Sequence, residues 1–71
     1  MDEKEEIETV DGRVVEALPS TLFRVETDDG KVIISYLGGK MRVHKIKVLV
    51  GDRVTVQVDP YGGKGRIIKR L

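Results

Sequence analysis

Apolar residues recur along this chain in short alternating runs, separated by breaks rich in glycine and aspartate. That is the patterning of a small β protein. The first run starts near Ile7 or Val10 and continues through Gly12-Arg13-Val14-Val15-Glu16-Ala17-Leu18. Gly12 inside it predicts a bulge or sharp coil, which lets one strand serve two sides of a curled sheet. Pro19-Ser20-Thr21 predicts a turn, and Leu22–Thr27 then alternates, with Phe23 and Val25 on one face and Arg24 and Glu26 on the other. Asp28-Asp29-Gly30 has the chemistry of a hairpin turn, with Gly30 where a positive φ is wanted. Lys31–Leu37 is a β-branched run apolar on both faces, broken by Gly38-Gly39. Between Lys40 and Val50 neither a period of two nor an amphipathic helix is sustained. A short helical turn over Lys40–Val43 followed by irregular chain fits it. Gly51-Asp52 turns the chain into Arg53–Val58, whose valines face in while Arg53, Thr55 and Gln57 face out. Asp59-Pro60-Tyr61-Gly62-Gly63 is a loop, and Gly65–Leu71 is a last strand with Arg66, Ile68 and Arg70 on one face.

Five short strands with a longer connection between the third and fourth predict an all-β, five-stranded Greek-key barrel. Closure removes the exposed edges that endanger a small sheet protein. An OB-fold is the first reading and an SH3-like barrel the alternative. The chain's 71 residues allow one domain, and a chain this size buries only roughly 60% of its unfolded surface. Without cysteine, neither disulfides nor a thiolate zinc site can reinforce so small a core. The aliphatic runs fall far short of the roughly 20 residues that span a bilayer. Residues 1–6 are acidic and predict a flexible tail, with residues 7–71 forming the barrel. An acidic start is opposite in sign to that of a signal or transit peptide, so the expected location is the cytoplasm.

Charge sharpens this picture. The net charge of +1 conceals ten acids against three bases in residues 1–30, and ten bases against two acids in residues 31–71. Lys31 to Val50 contains Lys31, Lys40, Arg42, Lys45 and Lys47 without a single acid, and Tyr36, Met41 and His44 lie among them. Such asymmetry points to a polyanionic partner, because neutralising phosphates releases counterions. The competing reading is a solvated loop with surplus lysines. Lys64, Arg66, Lys69 and Arg70 form a second acid-free group, which a barrel could bring beside the first. Phe23 fits the core, Tyr36 is the better stacking candidate, and Tyr61 fits a loop or a cap on the barrel. With so few rings, recognition of folded RNA by shape and phosphate fits better than a stacked aromatic track.

Nothing supports an enzyme. His44 is the only histidine, so no histidine pair can hold a metal and no Cys–His pair exists. Gly38-Gly39-Lys40 is not a phosphate-binding loop, since Met41 occupies the Ser/Thr position and Ile34 the place of the first glycine. No cofactor is expected.

Ordered along the chain stand LPSTLFRVE (18–26), GGKMR (38–42), GDRVTVQV (51–58), and PY (60–61) followed by KGRI (64–67). Together they resemble the bacterial translation initiation factor one family, a single OB-fold of the S1 type. The resemblance extends from about Ile7 to Ile68. It implies a monomer that binds the small (30S) ribosomal subunit at the decoding A site. There it would contact 16S ribosomal RNA and the adjacent ribosomal protein, with two adenines displaced toward it. It also implies cooperation with initiation factors two and three and a block on premature A-site occupancy. By position, Lys40, Met41 and Arg42 match the family's basic loop motif, and Lys64 with Arg66 match its C-terminal motif. Lys47 stands where arginine is usual, and Tyr36 where an aromatic or histidine is common. The chain departs from the family at Val43-His44-Lys45, where a cation is missing at 43 and Lys45 compensates. It departs again at Tyr61–Lys64, a loop one residue shorter than usual. The expected RNA-binding residues are therefore Tyr36, Lys40, Met41, Arg42, Lys45, Lys47, Lys64 and Arg66. Two other classes remain open: a general RNA chaperone, and a barrel whose basic face meets an acidic protein.

Overall fold

A computed structural model describes residues 8–71, so the expected acidic tail over 1–6 lies outside the described residues. Five strands, β1 (Thr9–Leu18), β2 (Leu22–Thr27), β3 (Val32–Leu37), β4 (Arg53–Gln57) and β5 (Gly65–Arg70), are accompanied by one short helix, α1 (Gly39–Val43), between β3 and β4. They close into a barrel in the order β1-β2-β3-β5-β4. All ladders are antiparallel except β3–β5. This is the OB-fold arrangement, and the SH3-like alternative falls away.

The longest strand does the bending. Gly12 and Arg13 pair on one side with Thr27 and Glu26 of β2, and on the other with Val54 and Arg53 of β4. Of the bulge or sharp coil expected at Gly12, the bulge lies instead at Val15, between the pairs Val14↔Val25 and Glu16↔Arg24, while at Gly12 one strand does serve two neighbours. Gly12 has a different task. A Cβ there would sit 2.6 Å from the Glu26 carbonyl oxygen and 2.9 Å from Val25 Cγ1. Only a residue without a side chain lets β1 lie so close to β2 here. The turn at Pro19–Thr21 is tight, with φ of 64° at Ser20 and 60° at Thr21. The β2–β3 hairpin closes as its sequence predicts: Thr27 N donates to the Lys31 carbonyl at 2.7 Å and Gly30 N to the Thr27 carbonyl at 3.0 Å.

Val14, Phe23, Val25, Val54, Val56 and Ile67 come from the alternating strand positions and fill the barrel, with Met41 and Val48 closing it from the β3–β4 connection. Each such burial is worth about 1.5–3 kcal/mol relative to exposure. That connection is less irregular than its sequence suggests. Ile46 packs against the core and Val48 is buried, while Lys45, Lys47 and Leu49 face out. On the β1–β2 side two acids are paired with arginines. Arg53 forks onto Asp28 at 2.7 and 3.0 Å, and Arg24 meets Glu16 at 3.0 Å. The Arg53 hydrogen bonds hold the Asp28 carboxyl below its ordinary range. A hydrogen bond from the Thr27 hydroxyl does the same for Asp29.

Candidate nucleic-acid interface

The two basic groups of the sequence meet because β3 and β5 run parallel. Tyr36 pairs with Arg66 and Leu37 with Ile67. Gly38 N continues the ladder by donating to the Ile67 carbonyl at 2.8 Å. A Cβ at Gly38 would lie 2.9 Å from that carbonyl oxygen and 3.1 Å from the Arg66 side chain. The glycine therefore allows α1 to begin directly against β5. Residues 40 and 66, far apart in the chain, thus become neighbours across one cleft of about 380 Å³ that also borders Gly39, Met41 and Ile68.

A single helical turn is too short to persist alone, and two devices hold α1. Met41, one of the expected RNA-binding residues, is 1% exposed and reaches into the core. The second device is the helix end. Ile46 N donates to the Met41 carbonyl at 2.9 Å and Lys45 N to the Arg42 carbonyl at 3.1 Å, while Lys45 takes a φ of 54°. These are the two bonds of a Schellman cap, with the apolar pair Met41 and Ile46 that normally accompanies it. A lysine occupies the left-handed position where glycine is usual. With Met41 turned inward, Lys40, Arg42, His44 and Lys45 are left exposed. Val43, where the resemblance marks a missing cation, is 75% exposed.

Lys47 is also exposed, on the extended stretch between Ile46 and Val48. Arg70 Nη1 donates to its carbonyl at 2.9 Å. Arg70 thereby ties this stretch to β5, a role that sequence spacing did not suggest.

Arg66 is held by Tyr36. Its guanidinium carbon lies 5.9 Å from the ring centroid, and its Nε donates to the tyrosine hydroxyl at 3.4 Å. The geometry favours a cation–π contact. Tyr36 is half-buried, and the guanidinium lies over its ring. The expected stacking platform thus already lies against a cation of its own chain. Tyr36, Arg66 and Lys64 border a second cleft of about 190 Å³, together with Gln57, Asp59 and Pro60. Arg66 lines both clefts and links the two basic groups. Gln57 and Asp59 are additions that only the β4–β5 register could reveal, since Gln57 pairs with Arg66.

Among the described residues, Lys40, Arg42, Lys45, Lys47, Lys64 and Arg66 form no salt bridge; the pairs formed are Arg24–Glu16 and Arg53–Asp28. Arg13 of β1 likewise forms no salt bridge among the described residues, whereas Arg24 of β2 is paired with Glu16 of β1. Among the same residues there is no cluster of histidine, aspartate and glutamate able to hold a metal ion. No helix among them is long and apolar enough to cross a membrane.

Comparison with known proteins agrees with the geometry. The family model for translation initiation factor 1A / IF-1 matches residues 1–71. The chain belongs to the translation initiation factor 1A / IF-1 family. It is similar to the solution structure of translation initiation factor IF-1 from the Wolbachia endosymbiont strain TRS of Brugia malayi. Identity is 43% and the TM-score 0.78, covering 92% of this chain and 78% of that one. The same barrel occurs inside larger proteins. YjeQ from Thermotoga maritima matches at 34% identity and a TM-score of 0.75, and YloQ, a circularly permuted GTPase, at 28% and 0.78. In both cases 90% of this chain aligns with only 23% of the other.

Proposed function

We propose that this IF-1 family member binds the decoding A site of the small ribosomal subunit and holds it closed to premature occupancy during initiation. It does so as a cytoplasmic, non-enzymatic monomer that cooperates with initiation factors two and three. The observation that supports this reading is that Lys40 and Arg66 share one cleft and Lys64 and Arg66 a second. Arg42, Lys45 and Lys47 are exposed nearby in the chain, and none of the six forms a salt bridge among the described residues. Lys40, Arg42 and Lys45 come from the capped helical turn, Lys47 from the stretch after it, and Lys64 and Arg66 from β5 and its approach. Their distribution over α1, the stretch after it and β5 suits phosphates of folded 16S ribosomal RNA. Arg42 and Arg66 can additionally fork onto or stack against RNA groups in ways lysine cannot. Met41 and Tyr36 act from behind this face, the first by fixing the helical turn and the second by fixing Arg66.

The test is footprinting of small-subunit RNA with the wild-type protein and with Arg42→Glu and Arg66→Glu. Protection is expected at the decoding site and lost in both variants, with their thermal unfolding unchanged. Binding should weaken with salt with a log–log slope between about −2 and −5, as expected for a handful of phosphates. Protection elsewhere on the subunit, or wild-type affinity from both folded variants, would remove the proposed surface. Equal affinity for unstructured single strands would favour a general RNA chaperone.

A further inference from the structure

Tyr61 stands apart from every other ring in the protein. It is 93% exposed, so it caps no part of the barrel. Large aromatic side chains ordinarily contribute their area to a core or an interface. The loop that carries this one is nevertheless ordered by its own bonds. The Asp59 carboxylate accepts from Tyr61 N at 2.9 Å and from Gly63 N at 3.0 Å. The Asp59 carbonyl accepts from Gly62 N at 3.1 Å, and Pro60 fixes its own φ between them. A ring presented on a pre-set backbone loses little further freedom when something stacks on it. The loop also forms one wall of the cleft beside Tyr36 and Arg66, through Asp59, Pro60 and Lys64.

We propose that Tyr61 is a stacking platform for an unpaired RNA base, with Asp59 as the residue that positions it. The inference rests on the RNA-binding reading of the basic face and adds to it a contact with a base rather than with phosphate. Lys64, three residues on, and Arg66 take the backbone of the same strand while the ring takes a base. Tyr36 cannot fill that role as readily, because Arg66 lies over its ring. A tyrosine face accepts any base, so the contact adds affinity for unpaired nucleotides without selecting a sequence.

The chain has no tryptophan, so Tyr61→Trp supplies a unique fluorophore. It would be titrated with a short single-stranded oligoadenylate and, separately, with inorganic polyphosphate, which offers the charge without bases. Quenching by oligoadenylate and none by polyphosphate is the expected result. Equal responses to both ligands, or an unquenched indole throughout the RNA titration, would overturn the proposal. In small-subunit binding, Tyr61→Ala should weaken affinity about 5- to 100-fold, from the usual worth of one stacked base, with the salt slope unchanged. Tyr61→Phe should retain affinity, and Asp59→Ala should lose part of it. If Tyr61→Ala binds subunits like the wild type, the platform is refuted whatever the charge variants do. If Tyr61→Trp is quenched only by RNA while Arg42→Glu and Arg66→Glu leave subunit binding intact, the platform stands and the phosphate-binding face fails. A blue-shifted, unquenched indole on subunits alone would assign the ring to a protein neighbour and overturn the base contact.

Discussion

Met41 offers the sharpest test of how this site is built, because sequence and structure assign it different tasks. Its neighbours Lys40 and Arg42 are exposed, whereas its own side chain is 1% exposed. Truncation of a buried methionine to alanine costs about 2–5 kcal/mol. The lower half of that range applies here. The cleft of about 380 Å³ bordering Met41 opens to solvent, so water can enter and the single turn can settle inward. Met41→Ala is therefore expected to cost about 2–3 kcal/mol. At about 0.05–0.15 kcal/mol per residue, a domain of this size holds roughly 4–11 kcal/mol in total. The variant should stay folded, with a melting temperature lower by about 8–24 °C. Its helical turn, deprived of its anchor, should fray and disperse Lys40 and Arg42. Small-subunit binding should fall about tenfold, equivalent to about 1.4 kcal/mol. Met41→Leu conserves volume and should cost less than about 1.5 kcal/mol, with binding close to wild type. Urea denaturation and subunit binding, measured on all three proteins, decide the matter. A Met41→Leu protein that is fully stable yet binds as poorly as Met41→Ala would refute the anchor and return Met41 to direct RNA contact. So would a Met41→Ala protein of undiminished stability.

Two further substitutions test the backbone geometry. Lys45 occupies the left-handed cap position, which costs a residue with a Cβ about 1–2 kcal/mol. Lys45→Gly should therefore be more stable than Lys45→Ala by about 1 kcal/mol in urea denaturation, while both reduce the salt slope of RNA binding equally. Equal stabilities would refute the cap. Gly12→Ala places a methyl group against the Glu26 carbonyl and should cost at least about 2 kcal/mol by overpacking. Gly39→Ala meets no atom within 4 Å and should leave the melting temperature unchanged or slightly raised. Similar melting temperatures for the two alanine variants would contradict the close β1–β2 approach.

The sequence by itself determined the strands, the hairpin at Asp28-Asp29-Gly30, the short helical turn and the inward positions Phe23, Val25, Val54 and Val56, while Val58, expected to face in with them, is only half-buried. Side-chain alternation has a fixed period of two in strands, and turn chemistry is local, so both are written residue by residue. It also displayed the cations that carry the proposed site, and the ordered motifs of the family. Four things were decided only by tertiary structure. Met41 turned inward because the phase of a single helical turn is set by what it packs against. The β1 bulge falls at Val15, while Gly12 answers to the close approach of Glu26 and Val25 of β2. Tyr36 became the support of Arg66 because a parallel β3–β5 ladder joins residues thirty positions apart. Tyr61 stayed in solvent because Asp59 folds its loop back on itself rather than over the barrel. The first three depend on contacts between distant segments, which no local pattern encodes; the last rests on bonds within the Asp59–Gly63 loop that leave the ring clear of the barrel.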